Sequence, residues 1–415
     1  MSTVRTVERL RGAGWLATGG AAKVLALLNA GGEEARVVGG AVRNALLGLP
    51  TGDIDIATTA TPDEVVRRAK TVGIRAVPTG IEHGTVTLLA DGQPYEVTTL
   101  REDIETFGRR AKVAFGRDWA RDAERRDFTI NALSVSADGL VHDYVGGLDD
   151  LAGRRIRFIG EPSRRIAEDY LRILRFFRIH AIYGAGPVDR EGLQACIAGR
   201  AGLAGLSAER IRMEIVKLLV APGAADALQE MGDAGLLLLL FGGVTYHAPL
   251  AAMVEAETTL ALKPDPMRRL AALAVATVED AERLAGRLRL SNAEALQLDS
   301  MAHRWWRLES LDEAQARVRL YKLGAQRFRD RAMLAWVRSG TRADYWRDLA
   351  TLDRRWAVPV FPLKAADFIA RGMQPGPALG EALGRAEQAW IESGFSAEPT
   401  MLSAIADRIA QELRA

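Results

Sequence analysis

Residues 37–58 read VVGGAVRNALLGLPTGDIDIAT, and few architectures accept that order. A short apolar run ends in Gly39 and Gly40, which permit a tight turn and a close backbone approach to phosphate oxygens. Ala41 to Leu47 then has the pattern of a helix, with Arg43 near its positive N-terminal end. Pro50 and Gly52 turn the chain, and Asp53 and Asp55 follow. Residues two apart on a strand share a face, so both carboxylates are expected to project together while Ile54 and Ile56 enter the core. Aligned carboxylates beside a phosphate-binding turn suit a hard divalent cation such as Mg²⁺, which takes oxygen donors and shares them with substrate phosphates. A DxD alone is an ordinary polar strand end. The order strand, Gly-Gly, helix, turn, DxD is what points to nucleotidyl transfer.

Up to about residue 160 the pattern is β-rich. GTVTLLADGQPYEVTTLR (84–101) predicts a hairpin turning at Asp91-Gly92, with Glu96 opposite in facing to Tyr95 and Val97. Residues 101–123 are charged and aperiodic and are expected to form a mobile loop. From 161 onward the pattern is helical, with stretches at 164–183, 206–220, 224–238, 267–288, 292–307, 312–338 and 343–356, broken at Pro222-Gly223, Pro264 to Pro266 and Ser339-Gly340. The fold class is therefore α+β, a mixed-sheet head followed by an all-α remainder.

With 415 residues, nearly half of them hydrophobic, the chain is long enough for more than one domain. A net charge of +2 leaves any nucleic-acid contact to local arginine stripes and not to a global cationic field. The single Cys196 excludes an intramolecular disulfide. No apolar run reaches transmembrane length, and the first residues lack a signal-peptide core, so no membrane partner is expected and the cytoplasm is the expected compartment. Five scattered histidines offer no metal-binding spacing, and His142, in the only His-Asp pair, reads as a strand residue.

Three further blocks stand in order after the first: ERRDFTINAL (124–133), AEDYLRILRFFRIH (167–180) and GLSAERIRMEI (205–215). In the second, Asp169, Arg172 and Arg175 are three apart and share a helical face, beside an apolar stripe of Leu171, Leu174 and Phe177. Taken alone, that face is a surface ion-pair ladder. Asp127 reads as a helix N-cap, and Ser207 caps a scaffolding helix.

Together the four blocks resemble the class II tRNA nucleotidyltransferase and bacterial poly(A) polymerase family of the DNA polymerase β superfamily, with the nearest likeness to CCA-adding members. The resemblance covers about residues 37–215. It implies a nucleotidyltransferase head over 1–160, a base-recognising helical neck over 161–220, a body over 221–345 and a tRNA-binding tail over 346–415. It implies Asp53 and Asp55 as ligands of Mg²⁺, and Glu96 as a third catalytic carboxylate on a neighbouring strand. Nucleotide binding falls on Gly39, Gly40, Arg43, Arg126, Asp127, Asn131, Arg175 and Arg178, with tRNA, CTP and ATP as partners. Asp169 and Arg172 become a protein template, and the chemistry agrees. Cytosine and adenine both place an exocyclic amine beside an unprotonated ring nitrogen, which a carboxylate and a guanidinium can pair. Uracil and guanine present the opposite polarity there.

Rivals within the family are a poly(A) polymerase, disfavoured by PTGIEHGTVTLL (78–89) in place of a basic element, and a CC-only or A-only enzyme, disfavoured by the length of 101–123. A non-catalytic tRNA-binding protein is the rival from another class; the presence of every expected carboxylate argues against it. Asn44 and Phe107 stand where relatives usually carry Asp. The oligomeric state is not legible.

Overall fold

The computed structural model describes residues 3–6, 10, 13–107, 110–303, 305–308 and 310–413. The chain divides into two compact units, residues 1–242 with 287–289, and residues 243–286 with 290–415.

The first unit opens with strand β1 (Thr3–Thr6), helices α1 (Gly14–Ala17) and α2 (Gly19–Leu28), strand β2 (Ala35–Val38), helix α3 (Gly40–Leu47), strand β3 (Asp55–Thr58), helix α4 (Pro62–Thr71) and strand β4 (Arg75–Gly80). Strands β5 (Thr85–Ala90) and β6 (Gln93–Thr99) follow, then β7 (Arg101–Phe107), β8 (Arg110–Phe115), helix α5 (Trp119–Glu124), β9 (Ser134–Val135) and β10 (Leu140–Asp143). Eight of these strands form one sheet in the order β1-β10-β9-β2-β3-β6-β5-β4. Only the β3–β6 pair is parallel; the other pairings are antiparallel. Helices α2 and α4 cover the sheet, where Val24, Leu28, Val65 and Ala69 bury against Val86 and Leu88.

The hairpin is present as expected. Asp91 and Gly92 both take positive φ (51° and 75°), the geometry that matches strand twist in a two-residue turn. Val86, Leu88, Tyr95 and Val97 are buried, while Glu96 on the opposite face is exposed. The expected loop over 101–123 is not a loop. Strands β7 and β8 pair as a separate two-stranded ribbon, and α5 follows with Asp118 accepting from the N–H groups of Ala120 and Arg121. Charge hid the strand pattern, because the sequence there lacks the apolar alternation that marks a half-buried strand. The Phe107 side chain lies outside the described residues.

The unit continues through α6 (Gly147–Ala152), α7 (Pro162–Glu168), α8 (Leu171–Tyr183), α9 (Arg190–Gly199), a 3₁₀ segment (Arg200–Gly205), α10 (Ala208–Leu219), α11 (Ala224–Asp233) and α12 (Leu236–Phe241). The helix expected over 164–183 is therefore two helices. Asp169 is extended (φ −157°, ψ 106°), and its Oδ1 accepts the Leu171 N–H at 3.1 Å. This is the ordinary competition of an aspartate side chain with helical backbone bonding. The Tyr170 ring fills the break and lies where a Cβ on Gly202 would stand.

The second unit is helical among its described residues: α13 (His247–Thr259), α14 (Pro266–Ala274), α15 (Val278–Leu288), α16 (Asn292–Ala302), α17 (Glu313–Leu323), α18 (Ala325–Ser339), α19 (Ala343–Ala350), α20 (Leu352–Arg355), α21 (Ala365–Ile369), α22 (Pro377–Glu392) and α23 (Pro399–Glu412). Residues 287–289 at the end of α15 group with the first unit. Buried Glu257 accepts from Arg268 and Arg269, both at 2.7 Å, and buried Asp330 accepts from Arg268 at 2.9 Å and from Gln297 at 2.9 Å. Phe368, Trp390, Ile405 and Ile409 anchor a second core near the C-terminus.

Because only glycine leaves room for the Tyr170 ring, Gly202→Ala should lower stability by about 1–3 kcal/mol, the usual cost of overpacking. Urea unfolding measures it, and an unchanged midpoint would show that the ring does not set the break.

Candidate active site

The order of the sheet explains why the acidic groups meet. The parallel pairing of β3 with β6 sets Asp55 directly beside Glu96. Asp55 is the first residue of β3, with Ile56 buried behind it. Asp53 is not on the strand, as expected from spacing, but in the bend before it. Gly52 and Asp53 are in the turn that feeds the strand, so the period-two rule begins only at Asp55. The Asp55 carboxyl is pushed above its ordinary value by burial first, then by the charge of Glu96, with Asp53 adding to the rise and Arg126 opposing it. Among the described residues no third acidic, histidine or cysteine side chain completes a closed metal cage. Asp55, raised in pKa by burial and by the neighbouring carboxylates, is nevertheless chemically suited to a divalent ion that takes its remaining oxygens from phosphate.

Asp55 opens onto a cleft of about 530 Å³ lined also by Gly39, Gly40, Arg43, Arg125, Arg126, Asp127, Asn131, Asp169, Leu171, Arg172, Arg175, Arg178, Ile179 and Arg210. Every residue expected to bind nucleotide is in this lining. Asp53 and Glu96 are not. Seven arginines face three aspartates, a positive balance that suits a polyanion such as a triphosphate.

Gly39 has φ 70° and ψ −124°, a conformation that favours glycine, and so turns β2 into α3. Its N–H is bonded to the Leu133 carbonyl at 3.0 Å, which leaves Gly40, the first helical residue, as the nearer candidate for a phosphate contact. Arg43 is buried. Its guanidinium donates to Asn131 and, at 2.6 Å, to the Tyr183 hydroxyl, and lies 3.8 Å from the centre of that ring. Burial lowers the Arg43 pKa, and Tyr183 works against that shift. Asn44 accepts from Arg43 at 3.1 Å and donates to the Pro50 carbonyl at 3.0 Å, so its amide braces the turn.

Asp127 caps no α-helix; only a 3₁₀ turn (Thr129–Asn131) follows it. It accepts instead from the Phe128 N–H at 2.9 Å, Asn131 Nδ2 at 3.1 Å and the Arg175 guanidinium at 2.6 Å. Burial alone would raise its carboxyl, but Arg175 and these hydrogen bonds hold it below the ordinary carboxylate value. Arg175 is in turn raised, its burial outweighed by Asp127 and Glu214. Arg126 and Arg125 are held by buried Asp122 at 3.2 and 2.7 Å.

Asp169 and Arg172 do not share a helix; the Arg172 N–H donates to the Asp169 carbonyl at 3.0 Å, and their side chains take separate partners. Asp169 accepts from Arg210 of α10 at 2.7 Å, while Arg172 Nη1 donates to Glu168 at 2.5 Å and to the Arg165 carbonyl at 2.6 Å. Arg178 donates to Glu214 at 2.5 Å, and Ser207 accepts the Arg210 N–H at 3.4 Å as the expected N-cap. Asp122, Glu168, Tyr183, Arg210 and Glu214 were not singled out from sequence; Arg210 and Glu214 sit in GLSAERIRMEI, and their i,i+4 spacing was the available signal.

Residues 35–157 match the model of the poly A polymerase head domain, and 188–246 that of the "Probable RNA and SrmB- binding site of polymerase A". The mitochondrial CCA tRNA nucleotidyltransferase 1 of Danio rerio is 36% identical over 87% of this chain and 84% of its own. The CCA-adding enzyme of Lacticaseibacillus paracasei is 33% identical over 94% and 96%. This chain belongs to the class II CCA-adding tRNA nucleotidyltransferase family. The crystal structure of the Bacillus stearothermophilus CCA-adding enzyme in complex with CTP agrees, with a TM-score of 0.71 at 27% identity over 95% of this chain and 98% of that one. Nucleotidyltransferases of this family use divalent metal ions. Among the described residues no helix is long and apolar enough to cross a membrane.

Removing the Asp127 charge leaves Arg175 under-compensated. Asp127→Asn should cost about 2–3 kcal/mol at neutral pH. A depressed folded pKa contributes stability that is complete above the ordinary value of 3.8 and lost as the pH falls through the lower folded value. Urea unfolding of both proteins at pH 7 and below pH 3.8 should therefore show the gap narrowing on acidification; a constant gap would rule out the charge as the cause.

Proposed function

We propose that the chain adds CMP and then AMP to the 3′ end of tRNA, building CCA from CTP and ATP without a nucleic-acid template. The observation that carries this reading is the single cleft in which Asp55, an arginine-rich wall and the pair Asp169 and Arg172 all take part.

In this reading Gly40, Arg43 and Arg126 receive the triphosphate, and Arg175 and Arg178, fixed by Asp127 and Glu214, keep the far wall positive. Asp127 and Asn131 are the groups near enough to one another to address a ribose hydroxyl jointly. Asp169 accepts from the exocyclic amine of C or A, and Arg172 donates to the adjacent ring nitrogen. Arg172 engages only Nη1 with its protein partners, so other N–H donors remain for a base. Uracil and guanine would leave polar groups unpaired or opposed, at about 1–3 kcal/mol each. Asp53 and Asp55 would hold the metal, which we assign as Mg²⁺, with Glu96 assisting; bound there it supplies charge neutralisation and a lowered pKa for the primer 3′-hydroxyl.

We assign catalysis to 1–160, base recognition to 161–220, and tRNA gripping to the helices of 221–345 and 346–415, by shape and phosphate contacts. The full ribbon over 101–115 supports complete CCA addition over a CC-only product. Cytoplasmic residence is part of the proposal. The related fish enzyme is named mitochondrial, and imaging of a C-terminal fluorescent fusion decides between the two.

Purified protein given tRNA lacking CCA should add two residues from CTP alone and stop after CCA with CTP and ATP together. A long tail from ATP alone would favour a poly(A) polymerase. Asp55→Asn should reduce addition by about a hundredfold or more while CTP still binds; a wild-type rate would remove Asp55 from the chemistry.

A further inference from the structure

We infer that Arg210, outside the motif that reads the base, is the positioning residue that sets the direction of Asp169 and with it the discrimination of C and A from U and G. This rests on the proposed function of the same cleft.

Asp169 is unusual among the lining residues in its backbone. It lies at the break between α7 and α8, in extended conformation, so helix geometry does not aim its side chain. Two bonds do. Oδ1 accepts the Leu171 N–H at 3.1 Å, and Oδ2 accepts Arg210 Nη2 at 2.7 Å. With one donor on each oxygen the carboxylate is fixed as a plane, and each oxygen keeps a lone-pair site for an incoming amine. The Arg210 and Asp169 side chains are 19% and 29% exposed, shielded enough for a charge-assisted bond to hold. Arg210 is itself anchored: Ser207 caps its helix, and Glu214, one turn on, grips Arg178.

Without Arg210 the Asp169 carboxylate loses the donor on Oδ2 and stands in the field of other cleft arginines, Arg175 among them, each already paired elsewhere. A carboxylate turned toward any of these no longer presents its acceptor to the base. Binding of CTP and ATP then weakens, whereas UTP and GTP lose the opposed polarity that excluded them.

The test is single-nucleotide addition to tRNA lacking CCA, with kcat and KM measured separately for CTP and UTP. For Arg210→Met the ratio of kcat/KM for CTP over UTP should fall about tenfold or more, chiefly through the KM for CTP. Arg210→Lys, which keeps one donor but not the fork, should recover part of the ratio. Ser207→Ala weakens the same helix without touching Asp169 and should leave the ratio unchanged. Equal losses of kcat for both nucleotides with an unchanged ratio, or a Ser207→Ala ratio that moves as far as that of Arg210→Met, would overturn the assignment and leave Arg210 as a brace. If Arg210→Met does not fold, Arg210→Lys carries the test, and a wild-type ratio there overturns the inference. A wild-type protein that adds no C at all refutes the function proposed above, and this inference with it; a wild type that completes CCA confines any failure to Arg210.

Discussion

The ion pair between Asp127 and Arg175 is the interaction on which the site depends. Asp127 belongs to the segment after α5, and Arg175 to α8, so their 2.6 Å contact fastens the sheet-bearing part of the first unit to its helical part. Around it the same join is made three more times. Arg43 of α3 meets Tyr183 at the end of α8, Arg165 of α7 donates to the carbonyls of Arg125 and Arg126, and Phe128 and Phe158 stack toward Phe176. Burying charges costs several kcal/mol per ion unless each is well paired, so such a seam contributes less to net stability than to uniqueness. Its value lies in geometry: each arginine facing the cleft has an acidic or aromatic partner behind it that limits where the guanidinium can go.

That pairing separates two kinds of charge in one small volume. On one side, Asp55 beside Glu96 and Asp53 is disfavoured in its ionised form, by burial first and then by the like charges, which suits it to a cation. On the other, Asp127 and Asp122 are held ionised by arginines. The cleft thus presents Asp55, suited to a cation, beside arginines already paired yet still rich in donors. A nucleoside triphosphate with its metal fits such a division. A plain basic groove would bind phosphate without directing any ion to the reacting end.

Much of this was legible in the sequence. Asp91-Gly92 fixed the hairpin register, and that register, with the parallel β3–β6 pairing, brought Glu96 to Asp55. The turn is local and follows from its residues; the β3–β6 pairing is not local, and only the family resemblance implied Glu96 beside the aspartates. What local pattern missed were competitions decided by tertiary partners. Asp169 left the helix because its side chain capped the next one and the Tyr170 ring found room at Gly202. Asp53 stayed in the bend because the turn at Pro50 and Gly52 runs up to the strand. Gly39 spent its N–H on Leu133, a bond across the sheet that no motif records. The strands at 101–107 and 110–115 are charged and lack the apolar alternation by which a sequence marks a strand.

Under the proposed function, the broken helix also bears on how one reader would serve two bases. Along a continuous helix, residues 169 and 172 would be held about 4.5 Å apart in axial rise, and a pyrimidine and a purine would have to meet one rigid spacing. Here Arg172 is tied through Glu168 to α7, and Asp169 through Arg210 to α10. Asp169 lies in the break and Arg172 on α8, with the Arg172 N–H bonded to the Asp169 carbonyl at 3.0 Å. Their backbones are joined by that bond, while the two side chains are braced by separate partners, Glu168 and Arg210. Under the proposed function, side chains on separate supports can adjust to a pyrimidine or a purine independently of the backbone bond that joins the two residues.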